Sequence, residues 1–173
     1  GVAAVASALG MEVHAYDPYL PEGVDIAPAV QLHAELDDLF RTCTHISLHC
    51  GLTPETHHMV DARRLNLMPQ VGADGVVCGA HLVNCARGGL VDEHAASAAL
   101  SDGTLASLAL DVFEEEPVGA GHPLAEHMRF SGTPHIGAST HEAQRRVGMD
   151  IAAAVLETLD TGSCPTVVNR DVL

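Results

Sequence analysis

The sequence predicts an α/β fold built on a mostly parallel sheet. Two observations carry this. Short apolar runs alternate with helical patterns along most of the 173 residues. The strand-like runs also end, one after another, in polar or turn residues, with no internal repeat or low-complexity tract between them.

Residues 2–9 are rich in Ala and Val and read as the end of a helix, stopped by Gly10. Residues 11–16 form a strand ending at Asp17-Pro18. Residues 35–42 are a short helix, residues 45–49 the next strand, and Thr53-Pro54 starts a loop. Residues 61–67 are a second short helix. Residues 80–85 are a buried strand ending at Arg87-Gly88-Gly89. Residues 92–101 form a helix closed by Asp102-Gly103. Residues 106–112 are a further strand, followed by the acidic run Glu114–Glu116. Residues 128–131 are a short last strand. Ser139, with Glu142 three positions on, fits a capping box that opens the longest helix, to about Thr161-Gly162.

Composition narrows the function classes. Acids outnumber bases 23 to 8, and all eight bases are Arg. So acidic a surface repels phosphate backbones, which argues against nucleic acid and anionic membrane as partners. No apolar run approaches the ~18 residues of a membrane span. Cys43, Cys50, Cys78, Cys85 and Cys164 contain no Cys-x-x-Cys pair, and their odd number suits a reducing compartment. The 12 histidines are scattered without a metal-ligand spacing, so no metal site is expected. His57-His58 reads as solvated loop.

The chemistry collects at strand carboxyl ends, where sheets of this kind bind ligands. Asp17 ends the first strand, Cys50 follows the second, and Cys85 and Arg87 follow the third. Asp111 ends the fourth, and His135 follows the fifth. Asp17 suits an adenosine ribose 2′-OH and repels the phosphate of NADP, and it reads equally as a turn aspartate before Pro18. Arg87 can hold a carboxylate bidentately, or pair structurally with Asp92 or Glu93. Gly88 and Gly89 permit a sharp turn beside it. His135 suits acid/base work near neutral pH, with Glu116 fixing its tautomer, or it is a satisfied loop histidine. Glu114–Glu116 reads alternatively as a solvated charge run.

These residues resemble the D-2-hydroxyacid dehydrogenases. The matching runs are Tyr16-Asp17-Pro18, Asn84 to Glu93, Ala109 to Pro117, and Thr133 to Thr140. Cys85, the stretch Gly137 to Thr140, and Glu142-Ala143-Gln144 look most like the phosphoglycerate dehydrogenase branch. The resemblance implies a Rossmann-like, doubly wound NAD-binding domain. It implies Arg87 as the substrate-carboxylate residue, His135 as the acid/base and Glu116 as its partner. Asp17 would hold the ribose, and Asp111 would lie near the nicotinamide. Cys50, Cys85, His135, Ile136, Gly137 and Ala138 would line the cofactor. The implied substrate is a D-2-hydroxy acid, 3-phosphoglycerate first and glyoxylate or hydroxypyruvate second.

The family's first strand and glycine-rich loop have no counterpart, since Gly1 falls in the helix that comes after that loop. The expectation is therefore a partial NAD-binding domain over 1–162, with 163–173 leading back toward a substrate domain. Alone it is expected to be inactive, and in the family it would be a homo-oligomer. The compartment stays open among cytoplasm, plastid and mitochondrion. A family proline is replaced by Gly51, which should loosen its loop. Residues 71–78 look like an inserted loop. A rival class, the nucleotide-sensing corepressors of this fold, carries a tryptophan soon after the histidine, and this chain has none.

Overall fold

The computed structural model describes residues 1–21, 30–119, 121–137 and 139–163. Ala138 and Cys164 lie outside the described residues. The chain divides into two compact units, Gly1–Pro134 and His135–Leu173.

The first unit runs α1 (Val2–Ala8), β1 (Val13–Ala15), β2 (Val30–Leu32), α2 (Leu36–Thr42), β3 (His45–Leu48) and α3 (Ala62–Leu65). It continues with β4 (His81–Asn84), α4 (Glu93–Asp102), β5 (Ser107–Leu110) and β6 (Phe130–Gly132). All pairings between these strands are parallel. Among the described residues they form two separate sheets, β1-β2 and β3-β4-β5-β6. No strand among the described residues pairs with both sheets.

β2 was not foreseen from the sequence. It is three residues long and two of them are exposed, so it carries no apolar run to read. The other elements fall where expected, most of them one to three residues shorter.

The strand expected to be buried over 80–85 is buried on one face only. Burial alternates along β3, β4 and β5. Ile46, Leu48, Leu82, Leu108 and Leu110 point into one core with Phe40 of α2, Leu65 of α3 and Leu100 of α4. Val83, on the other face, is 38% exposed. The three helices supply apolar residues to one side only, so period-2 burial replaces a continuous buried run.

Helix ends obey the expected chemistry. Asp92 caps α4 by accepting the Ala95 N–H, and Gly103 closes it at φ 87. Asp37 on α2 takes both Arg63 and Arg64 of α3, and these guanidiniums hold its carboxyl well below the usual carboxylate range. Residues 71–78 form an exposed tight turn closed by the antiparallel bridge Val71–Val77.

The second unit contains α5 (His141–Thr161). Its cap is Thr140, whose hydroxyl accepts the Ala143 N–H at 3.1 Å. The expected box on Ser139 and Glu142 is therefore displaced by one residue, and the position three after the cap holds Ala143 instead of an acid.

Candidate functional site

The site is best built from β4 outward, because the last residue of that strand organises the turn beyond it. Asn84 is 1% exposed. Its carboxamide oxygen accepts the Ala86 N–H at 3.0 Å, and its amide donates to the Arg87 carbonyl at 2.9 Å. One buried side chain thus replaces the sheet ladder where the chain leaves it, and fixes the turn that presents Arg87. Cys85 and Arg87 are exposed on that turn. The Arg87 guanidinium donates to the Ala86 carbonyl at 2.6 Å, and it pairs with no carboxylate among the described residues. The structural pairing with Asp92 or Glu93 does not form. Asp92 caps α4, and Glu93 is engaged with His122 and Glu114.

Gly88 is required by contact more than by turn geometry. A Cβ there would lie 1.7 Å from the Phe113 carbonyl oxygen. The backbone after β4 therefore lies directly against the backbone after β5. Gly89, at φ 76, takes the left-handed conformation that a side chain disfavours.

After β5, Asp111 is 4% exposed. Its N–H donates to the Asn84 carbonyl at 3.0 Å, and its carboxylate accepts the Thr133 hydroxyl at 2.6 Å. A recess lies here, lined by Cys85, Ala109, Leu110, Asp111, Ser131, Gly132 and Thr133.

The acidic run is exposed, and two of its carboxylates also turn onto backbone amides. Glu116 accepts the Phe113 N–H at 3.0 Å, and Glu114 accepts the Glu93 N–H at 3.0 Å. His58 is no solvated loop residue. It is half-buried, its Nε2 lies 3.1 Å from Glu114, and its N–H donates to the Gly89 carbonyl. His58, Glu93, Glu114, His122 and Thr133 carry no signature in the sequence, because partners 21 to 56 residues away leave no local spacing.

On the second sheet edge, Asp17 lies two residues past β1 and is exposed. Its Oδ1 accepts the Tyr19 N–H at 3.0 Å, so it does make the turn contact that its Pro18 neighbour suggested. Cys50, two residues past β3, is half-buried, and its Sγ lies 3.5 Å from the Met59 sulfur. Burial pushes its thiol up. The loop beginning at Gly51 carries hydrogen bonds of its own. Thr56 donates its hydroxyl to the Gly51 carbonyl at 2.8 Å and accepts the Thr53 N–H at 2.7 Å.

His135, Ile136 and Gly137 open the second unit. His135 stands at φ 53, in the left-handed region. His58, at φ 50, is the other non-glycine there among the described residues. Such backbone is uncommon for a histidine and concentrates at functional segments. In the first unit Cys85 and Asp111 line one recess, Arg87 stands on the turn after Cys85, Glu116 bonds the Phe113 N–H, and Asp17 and Cys50 stand past their own strand ends. Glu116 and His135 belong to different units.

Comparison with known proteins gives a consistent result. Residues 1–137 match the family model described as D-isomer specific 2-hydroxyacid dehydrogenase, NAD binding domain. A D-3-phosphoglycerate dehydrogenase of Methanocaldococcus jannaschii is 40% identical over 164 residues, covering 95% of this chain and 30% of that protein. The chain thus spans about a third or less of the curated relatives it matches. Among solved structures, the TT0316 protein of Thermus thermophilus matches with a TM-score of 0.78 at 33% identity, over 96% of this chain and 49% of that one. A glyoxylate reductase from Paecilomyes thermophila matches with a TM-score of 0.78 at 29% identity, over 98% and 48%.

Proposed function

Because this chain belongs to the D-isomer specific 2-hydroxyacid dehydrogenases, through their NAD binding domain, we propose that the protein oxidises D-3-phosphoglycerate with NAD, as in serine biosynthesis. The observation that carries the reading is the Arg87 guanidinium. It stands exposed at the strand carboxyl edge with no acid partner among the described residues, in a chain where acids outnumber bases 23 to 8. At that edge the planar guanidinium has its fork open to take a carboxylate bidentately.

The residues present fit a nicotinamide. The recess beside Arg87 has small Cys85, Ala109 and Gly132 in its lining and the buried Asp111 carboxylate in its wall. A fixed negative charge there favours an oxidised, cationic ring. When bound, NAD supplies the hydride acceptor. In this reading Arg87 holds the substrate carboxylate in its planar fork and so orients the carbon that loses hydride. His135 takes the hydroxyl proton, and the Glu116 carboxylate holds the resulting imidazolium. Asp17 binds the adenosine ribose through the oxygen that Tyr19 leaves to it. Cys50, Cys85, Ile136, Gly137 and Ala138 line the cofactor.

The likeness to a glyoxylate reductase supports a second reading, reduction of glyoxylate or hydroxypyruvate. The test is calorimetric titration of the full-length protein with NAD and NADP. It is paired with assays for NADH formation from D-3-phosphoglycerate and NADH consumption by glyoxylate and hydroxypyruvate. NAD preference with phosphoglycerate turnover is expected. Turnover with the keto acids alone moves the assignment to the second reading. NAD binding without turnover favours a binding protein, and no NAD binding overturns the proposal.

A further inference from the structure

Two glutamates outside the expected site hold each other's backbone. The Glu93 carboxylate accepts the Glu114 N–H at 2.7 Å, and the Glu114 carboxylate accepts the Glu93 N–H at 3.0 Å. The two residues are 21 apart in sequence. They join the first turn of α4 to the segment leaving β5 by two charge-assisted bonds, the strong kind. Glu93 lies in the first turn of α4, where an orphan N–H and the helix dipole both favour a carboxylate.

Each carboxylate is held again from outside. His122 Nε2 lies 2.8 Å from Glu93 Oε2, and His58 Nε2 lies 3.1 Å from Glu114 Oε1. The His122 tautomer is set by its surroundings. Its Nδ1 accepts the Leu124 N–H, so the ring proton sits on Nε2 and donates to Glu93 with the ring neutral. The Phe113 ring packs edge-on against His122. Glu116 then closes the segment by accepting the Phe113 N–H.

We propose that Glu93 and Glu114 are positioning residues, whose reciprocal clamp fixes the 113–116 segment and thereby the Glu116 carboxylate. The inference rests on the reading of Glu116 as the partner of His135. A segment of three successive acids would otherwise spread into solvent. Here two of the three carboxylates, those of Glu114 and Glu116, are turned back onto backbone amides, and the Glu93–Glu114 pair gives the Glu116 bond to Phe113 a fixed base. His58 belongs to the loop that also holds the Gly89 carbonyl, so the clamp ties Glu116 to the Arg87 turn as well.

The test uses the full chain, isotopically labelled and free of ligand. Amide exchange at Glu93, Phe113 and Glu114 and the titration of the Glu116 side-chain carbon are recorded for the unmodified protein and four variants. These are Glu93→Ala, Glu93→Gln, Glu114→Ala and Glu114→Gln. Each alanine variant is expected to speed exchange at the partner's amide and at Phe113 by about 10-fold or more, and to move the Glu116 titration. The glutamine variants keep the acceptor oxygen and are expected to restore most of both. If the alanine variants free the partner amide but leave Phe113 exchange and the Glu116 titration untouched, the clamp is only structural and the proposal fails. Should the alanine variants not fold, Glu93→Asp, one methylene shorter, carries the same comparison. In turnover assays the alanine variants should lower kcat with little change in KM. The exchange and titration readouts need neither cofactor nor turnover, so a failure of the dehydrogenase reading is seen separately from a failure of the clamp.

Discussion

Thr133 donates its hydroxyl to the buried carboxylate of Asp111 at 2.6 Å. One residue lies just past β6 and the other just past β5, so the bond ties the last two strand ends together at the recess. A buried carboxylate that loses a donor is left partly unsatisfied, and the cost falls on the folded state. Thr133→Val is expected to destabilise by about 1–3 kcal/mol in urea melts. Thr133→Ser, which keeps the hydroxyl, should stay within about 0.5 kcal/mol of the parent. Equal stability of the valine and serine variants would show that Asp111 does not depend on this donor.

The contact between Gly88 and Phe113 makes a sharper contrast. A Cβ at Gly88 meets a backbone oxygen at 1.7 Å, and backbone on both sides cannot give by rotating a side chain. Gly88→Ala should cost more than about 3 kcal/mol or prevent folding. Gly51 has nothing within 4 Å of an added Cβ, and its φ is not positive. Gly51→Ala should be neutral or stabilising by about 0.4–1 kcal/mol, through a less flexible unfolded chain. Thermal melts of the two variants side by side test the pair, and a mild Gly88→Ala would mean the two segments can separate.

The thiols should separate by reactivity. Burial, then the neighbouring Glu12 charge, pushes the Cys43 thiol up to about 11, and burial also raises Cys50. Cys85 is exposed at the mouth of the recess. Since the thiolate is the nucleophile, iodoacetamide at neutral pH should label Cys85 well before Cys43 and Cys50. NAD, if it occupies the recess, should slow Cys85 selectively. Mass spectrometry of timed samples reads both effects. Faster labelling at Cys43 would contradict its buried, protonated state.

The sequence was most legible where backbone chemistry repeats. Asp92 and Gly103 bracket α4 as a cap and a left-handed stop, and the strand ends carry Asp17, Cys50, Cys85 and Asp111 in the expected order. β2 escaped because an exposed three-residue strand has no apolar pattern. The one-sided burial of β4 escaped because Val83 is apolar whichever way it faces. The polar network around Glu93 and Glu114 escaped for a different reason. Its partners are 21 to 56 residues apart, and its two glutamates bond to backbone amides, which every residue carries. Asn84 sat within a recognisable run, but its task of fixing the Arg87 turn emerges only once its burial is known.

The last prediction concerns acid stability and the far, amino-terminal edge of the sheet. His45 of β3 and His81 of β4 are in register, with rings stacked at 4.3 Å between centroids. His81 is committed on both nitrogens. Its Nε2 donates to the Cys78 carbonyl at 2.9 Å, so its Nδ1 accepts the Ser107 hydroxyl at 2.7 Å. Burial, then the neighbouring His81, lowers the His45 pKa below its ordinary 6.5. Between the ordinary value and the lowered one, the unfolded chain binds a proton at this site and the folded chain does not. Stability therefore rises with pH across that window and is lost as pH falls through it. Asp37 has its pKa held low by Arg63 and Arg64, so its contribution disappears only at or below the carboxylate range. The two effects occupy separate pH intervals. Urea melts from about pH 7.5 to about pH 5 should show declining stability. His45→Gln should flatten that decline while leaving the steeper loss at lower pH in place. An unchanged slope in His45→Gln would place the pH sensitivity elsewhere in the chain.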